Sequence, residues 1–424
     1  MNKRNKIKNN GFLKETKTVK KKRKLKSKSF NSYKGNISKK WLYFKLCFCL
    51  FLFFLIINLK KGNNFIGFFI KDLKNLTNEI IYENSYDIFE KTKLMFNNDT
   101  FLNSYLEQIT ILNHTYNKNY KKLKKNKVNV HICISLNNKY IIPILVSMES
   151  VLTNSDKKNT FLTYHILCAP DVTENTLTKL KSLMKRYSLN LEMVFYGMGD
   201  IFMYLYNTRL QQVAFYRLLL PIMVNFERII YLDGDTLTFK DLSEMFQLDF
   251  NNSYVLGTLD YYSYGIDYLG IKSKKYINSG VLLINLEKIR TDKKYYDLIN
   301  ITKKVRLTND DQTAINYVLY PDIGFLLPKY NIFNFHDVSD IKVYTKQIRM
   351  EVNISEIEEV LNDPTVVHHV ICWPKMWSKH SVYIKEVSAC KQRNDCSCLK
   401  YHNKWMFFAN KTDYYQEIIE FIEK

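Results

Sequence analysis

From Val128 onward the chain alternates two apolar patterns. VNVHICISL (128–136), FLTYHILCA (161–169) and LNLEMVFYGM (189–198) are short runs of β-branched and aromatic residues, the composition of strands. Between them YIIPILVSMESVL (140–152) reads as a helix and ENTLTKLKSLMKRYS (174–188) as an amphipathic helix. Strand and helix alternating at this spacing predict βαβ units around a parallel sheet, an α/β fold of the kind that binds nucleotides. A helix-like LQQVAFYRLLLPIMV (210–224) then leads into ERIIYLDGDTLTF (227–239), on which the rest of the reading turns.

Ile229, Ile230, Tyr231 and Leu232 predict a strand buried on both faces, and it ends in Asp233-Gly234-Asp235. In extended geometry residues i and i+2 share a side, so Asp233 and Asp235 can aim at one point, while Gly234 lets the backbone bend and a ligand come close. Two converging carboxylates repel unless a cation sits between them, and Mg²⁺ and Mn²⁺ commonly bridge such pairs to phosphates. The same residues also suit an Asp-Gly turn between two strands, so this motif alone leaves both readings open.

Charge changes the picture at the N-terminus. Of a formal net charge of +22, residues 1–40 carry +15, from sixteen Lys or Arg and one acid, Glu15, which leaves +7 for the remainder. A nucleic-acid arm is disfavoured, because this tail precedes WLYFKLCFCLFLFFLIIN, in which the seventeen residues from Trp41 to Ile57 are interrupted only by Lys45. A basic flank before an apolar run with no polar face predicts a signal-anchor with the N-terminus in the cytosol. The expected organisation is a basic tail at 1–40, a transmembrane segment at 41–58, an Asn- and Lys-rich stem at 59–127, a catalytic domain at 128–380 and a C-terminal cap at 381–424. Such a chain is a single-pass type II protein whose catalytic part faces the lumen of the Golgi or endoplasmic reticulum. Acceptor sequons at Asn75, Asn98, Asn113, Asn251, Asn300, Asn353 and Asn410 are compatible with that address.

Five stretches in order, the first strand ending near Tyr140, AFYRLLLP around Arg217, YLDGD, YINSGVLLIN and NDDQTAIN, followed by HVICWPKMW, resemble glycosyltransferase family 8. This is the group of retaining GT-A enzymes that includes glycogenin and the bacterial galactosyltransferases of lipooligosaccharide synthesis. The resemblance covers Val128 to about Trp377. It implies a GT-A domain, a Rossmann-like sheet, that takes a UDP-sugar and Mn²⁺, with Mg²⁺ as the alternative ion. It raises the metal reading of Asp233 and Asp235 above the turn reading.

The resemblance assigns the third metal ligand to His369 and a diphosphate contact to Lys375, counting along His369-Val-Ile-Cys372-Trp-Pro-Lys375-Met376-Trp377. His368 is the neighbouring alternative, since adjacent strand residues face opposite sides and only one reaches the metal. Cys372 stands where the family has Gly, and Met376 where it has Pro. Tyr140 matches an aromatic packed on the uracil, although the preceding Asn137 and Asn138 replace acids common in the family. Arg217, Asp260 and the Asn278, Ser279 and Gly280 that precede the strand VLLIN match positions around the donor sugar. Asp311 and Gln312 match the pair beside the anomeric carbon, with Asp310 an adjacent helix N-terminal acid. An amide there suits an oxocarbenium-like state attacked from the leaving-group face better than a carboxylate nucleophile would.

Cys133 and Cys168 read as core residues, Cys47 and Cys49 lie in the apolar run, and Cys390, Cys396 and Cys398 near His402 fit a disulfide better than any standard zinc spacing. The expected activity is transfer of a hexose or pentose from a UDP-sugar to a glycan, lipid or protein acceptor. The alternatives are a self-glycosylating initiator and an inactive binding protein on the same fold, the latter suggested by Cys372, Met376, Asn137 and Asn138.

Overall fold

The computed structural model describes residues 89, 93–96, 98–205, 212–260, 276–304, 307, 309–333, 360–370, 375–378 and 401–423. All of them lie in the unit Glu83–Lys424. The expected tail, apolar run and cysteines 390, 396 and 398 fall outside the described residues. Among the described residues no helix is long and apolar enough to cross a membrane.

The elements used below are, in chain order, α1 (Thr100–Leu106), β1 (Thr110–Tyr116), α2 (Tyr120–Lys124), β2 (Val128–Leu136), α3 (Ile141–Asn154), β3 (Thr160–Cys168), α4 (Glu174–Lys181), β4 (Leu191–Gly197), β5 (Arg228–Leu232), β6 (Thr236–Thr238), β7 (Val255–Leu259), β8 (Ile277–Asn285), α5 (Lys294–Lys304), α6 (Asp310–Leu319), β9 (Ile323–Phe325), β10 (Ile332–Phe333), β11 (Val366–His368), α7 (His402–Lys411) and α8 (Tyr415–Glu423). The predicted strands at 128–136, 161–169 and 189–198 become β2, β3 and β4. The segment expected to be one amphipathic helix at 174–188 is broken at Ser182, Leu183 and leaves α4 with a separate turn at Met184–Tyr187. Its start follows local chemistry, with Thr173 Oγ1 accepting from Thr176 N.

Eight strands form the main sheet in the order β1-β4-β3-β2-β5-β8-β7-β9, and a small sheet runs β10-β11-β6. β2, β3, β4 and β5 are mutually parallel where they pair, whereas β8 runs antiparallel to both β5 and β7. The chain moves outward from β2 through β3 to β4, then returns to place β5 on the other side of β2. This reversal opens a crevice beyond the carboxyl ends of β2 and β5, the position where open α/β sheets bind ligands. Ile229 to Leu232 are buried on both faces as expected, and each such aliphatic side chain stabilises the fold by about 1.5–3 kcal/mol.

Residues 100–127, placed by the sequence in a stem, supply α1, α2 and the edge strand β1, which pairs antiparallel with β4. They also close a buried polar chain. His114 Nε2 lies 2.7 Å from Glu192 Oε1, and Lys124 Nζ donates to Glu192 Oε2. Thr163 Oγ1 links Glu192 to Asn129, and from there His131, His165 and the Tyr196 hydroxyl follow at 3.0–3.1 Å spacings. Burial alone would raise the Glu192 carboxyl, but His114 and Lys124 hold it well below the usual carboxylate range. Burial pushes His165 down to about 3.

A histidine held neutral in the fold but titrating near 6.5 when unfolded contributes stability that is complete above pH 6.5 and is lost as pH falls toward 3. At pH 5 the loss from His165 alone is about 2 kcal/mol. Thermal melts at pH 7 and pH 5 should therefore give wild type a less favourable slope of Tm with falling pH than His165→Asn. An unchanged slope in the variant would remove His165 from the acid response.

Candidate metal and donor site

Asp233, Gly234 and Asp235 form a turn between β5 and β6, tightened by Thr236 Oγ1 donating to Asp233 O at 2.9 Å. The turn is thus realised and is compatible with the metal reading, because β5 and β6 belong to different sheets and the turn carries two carboxylates out of the main one. Gly234 serves packing: a Cβ there would lie 2.6 Å from Ile144 Cγ1 on α3. The close approach expected of a ligand is instead the approach of a helix.

The third member of the cluster is His368, not His369. β11 pairs antiparallel with β6 so that His368 stands opposite Thr236, and this register points the His368 ring at the turn. Its Nε2 lies 3.1 Å from Asp235 Oδ1 and 3.6 Å from Asp233 Oδ2. One ligand atom from each of Asp233, Asp235 and His368 lies within 4.8 Å of the others. His369 faces the other way, its ring 6.1 Å from that of Tyr401, and contributes its backbone N–H to Asp235 O at 3.0 Å. Counting back from Lys375 selected His369, but strand alternation and the β6 register decide which imidazole reaches the carboxylates.

The donor set fits a divalent cation. His368 is buried at 1% exposure, and neither ring nitrogen makes a hydrogen bond of normal geometry despite the nearby carboxylates, which is what a metal-facing imidazole requires. Gly280 leaves the room: a Cβ there would collide with the His368 ring and sit 2.8 Å from Asp233 Oδ2. Imidazole with two carboxylates suits Mn²⁺ better than Mg²⁺. Lys375 Nζ donates to Asp235 Oδ2 at 2.7 Å and to the carbonyls of His369 and Val370. Burial favours a protonated Asp235, but Lys375 and His368 hold its carboxyl well below the usual range.

Arg217 joins this cluster to the rest of the site. From a 3₁₀ segment (Gln212–Leu219) its guanidinium donates to Asp233 Oδ1 at 2.9 Å and to Ser279 O at 2.5 Å, and its Cζ lies 3.6 Å from the centre of the Tyr231 ring. Its Nε lies 3.2 Å from Asp311 Oδ2, an ion contact outside hydrogen-bond angles, and donates instead to Ala214 O. Burial pushes the Asp311 carboxyl up to about 7 against the pull of Arg217. Asp311 therefore meets Arg217 inside the protein. Next to it on α6, Gln312 donates to Asp260 Oδ2 at 2.8 Å and accepts from Asn278 Nδ2 and Ser279 N. Asp310, with φ of 47°, begins α6 in the left-handed region.

Tyr140, 38% exposed, follows β2 and stands edge-on to Trp377 at 6.3 Å, close enough to the cluster that Asp235 adds to the effect of burial in raising its hydroxyl. The departures from the family motif have local explanations. Asn137 Oδ1 caps the turn before Tyr140, and Asn138 Oδ1 accepts from Thr173 N and Thr176 Oγ1. Met376 is packed in the apolar core. Cys372 lies outside the described residues. The sequence placed Gly280 with Asn278 and Ser279 before the strand VLLIN without assigning it the space beside a histidine, and weighed His368 only as the alternative.

His368→Ala should weaken Mn²⁺ binding at least about tenfold, measured from the free-ion electron paramagnetic resonance signal, and Gly280→Ala should do the same by filling the space beside His368. His369→Ala should leave Mn²⁺ affinity within about threefold of wild type, since its contact to Asp235 is through the backbone. The reverse order of effects would return the ligand role to His369.

Comparison with known proteins gives the site its context. The model of the family described as Glycosyl transferase family 8 matches residues 131–380. Glycosyltransferase GlyE of Streptococcus pneumoniae is 24% identical over 41% of this chain, and a lipopolysaccharide 1,2-glucosyltransferase of Escherichia coli is 26% identical over 58%. The matched region spans 39% of the first protein and 72% of the second. Among solved structures, the galactosyltransferase LgtC superimposes with a TM-score of 0.50 at 16% identity, covering 67% of this chain and 96% of LgtC, and the bifunctional enzyme WbbM with a TM-score of 0.55 at 15%, covering 70% and 52%. At these identities the structural likeness concerns the fold, which is GT-A. The Golgi or endoplasmic reticulum address is corrected: these curated relatives come from bacteria, which have neither compartment, and no described helix can span a membrane. The family match covers more than half of the chain, and the chain belongs to glycosyltransferase family 8.

Proposed function

We propose that this chain transfers a sugar from a UDP-sugar to an acceptor hydroxyl with retention of configuration, in a Mn²⁺-dependent reaction. The observation that carries the proposal is the junction of two assemblies through Arg217. On one side stand Asp233, Asp235 and an imidazole with no hydrogen-bonded partner; on the other stand Gln312, Asp260, Asn278 and Ser279.

Asp233, Asp235 and His368 would hold the cation, which when bound offsets the charge of a diphosphate. Lys375, pinned beside Asp235, adds a second positive charge where a leaving diphosphate develops negative charge. Tyr140, exposed at the end of β2, offers a face for the uracil. Asp260 and Gln312 form a hydrogen-bonded pair that can fix sugar hydroxyls, while Asp311 holds Arg217 from within. Gln312 is too weakly basic to deprotonate an acceptor hydroxyl. The proton therefore passes to the departing phosphate oxygen, and the acceptor enters from the face that the diphosphate leaves.

The full-length protein with Mn²⁺, screened against UDP-sugars, should release UDP with one of them, and a UDP-α-sugar should give an α-linked product by NMR. A β-linked product would refute the mechanism. Gln312→Ala should lower kcat by about 10²-fold while UDP affinity stays within about threefold, because its contacts are to the sugar side of the site. Unchanged turnover would shift the burden to Asp260 and Asp311.

A further inference from the structure

A chain of three side-chain amides runs behind the proposed sugar site, and its ends fix the direction of every member. Ser279 N can only donate, so the Gln312 atom 3.0 Å away is the carbonyl oxygen, and the Gln312 amino group accordingly faces the Asp260 carboxylate, which can only accept. Gly280 N donates to Asn278 Oδ1 at 3.0 Å, which turns Asn278 Nδ2 toward Gln312 Oε1 at 3.2 Å. Behind Asn278 stands Asn331, at the start of β10, donating from Nδ2 to the same Asn278 Oδ1 at 2.9 Å. Asn331 is 1% exposed and its own Oδ1 is buried with no partner. A buried amide with one end unpaired is costly, so what the fold gains from Asn331 lies in the end that donates.

We propose that Asn331 is a positioning residue for the transfer reaction. By donating to Asn278 Oδ1 beside Gly280 N, it helps to hold the Asn278 amide in the orientation that sends an N–H to Gln312. Gln312 Oε1 then receives two donors, from Asn278 and Ser279, which occupy both lone pairs of the carbonyl. Gln312 works in this site as an N–H donor, with its oxygen engaged away from bond formation at the anomeric carbon. This inference rests on the UDP-sugar reading given above.

The test uses Asn331→Leu, which keeps the approximate size but cannot donate, so that Asn278 Oδ1 is held by Gly280 N alone and its N–H to Gln312 is loosened. The full-length variant should keep its Tm within a few degrees and its Mn²⁺-dependent UDP affinity within about threefold, while kcat falls at least about tenfold. In a double-mutant cycle, Asn331→Ala in a Gln312→Ala background should cause no further loss of kcat, because the first residue acts through the second. Additive losses would overturn the proposal, as would an unchanged kcat in Asn331→Leu. Wild-type protein that releases no UDP from any UDP-sugar would instead overturn the donor reading. The amide chain is then judged by hydrogen exchange at Gly280 N, which should speed up in Asn331→Leu, and equal exchange in both proteins would overturn it.

Discussion

The site depends on one buried cation. Arg217 is 4% exposed, and its guanidinium reaches Asp233 at the end of β5, Asp311 at the start of α6 and the carbonyl of Ser279 on β8. Without it, the Asp311 carboxyl would lose its ion partner in a low-dielectric interior, and removing one partner of such a buried ion pair costs about 3–5 kcal/mol. Stacking on Tyr231, itself buried in β5, fixes the plane of the guanidinium and so the direction of each of its N–H groups. The Asp233, Asp235 and His368 cluster and the Ser279 and Gln312 network are held in one frame because they share this side chain.

The second constraint is register. Three short strands, β6, β10 and β11, hang from the main sheet and carry the imidazole. A shift of one residue in β11 would turn every side chain to the opposite face and exchange His368 for His369. The pairing of His368 with Thr236 and of Val367 with both Leu237 and Ile332 settles the matter, with Val366 and Val367 both buried in the apolar core. The space opposite the ring is then kept by Gly280 from a different sheet.

Residues outside the family-matched region also belong to this architecture. β1 protects the outer edge of β4 and supplies His114 to the buried Glu192, while α7 and α8 place Trp405, Phe408, Ile418 and Ile422 in the core beside α3. Sequence composition gave no hint of the first contribution, because an Asn- and Lys-rich segment carries a strand pattern too weak to separate from a linker. Its strand character comes from the partner edge it covers.

The sequence by itself determined the strands β2, β3, β4 and β5, since unbroken β-branched and aromatic runs can only be satisfied by burial on both faces. It also determined the family, through ordered motifs, and most of the residues that converge: Asp233, Asp235, Arg217, Asp260, Asn278, Ser279, Asp311, Gln312 and Lys375. Only the tertiary structure decided the relation among them. Which of two adjacent histidines meets the carboxylates is a matter of strand register, and the packing role of Gly234 and the space-keeping role of Gly280 are matters of which chain passes nearby. The direction of the amides at Gln312, Asn278 and Asn331 follows from backbone donors brought from other strands. Each of these is a nonlocal contact, and a pattern along the chain records what a residue can do without recording what the fold sets opposite it.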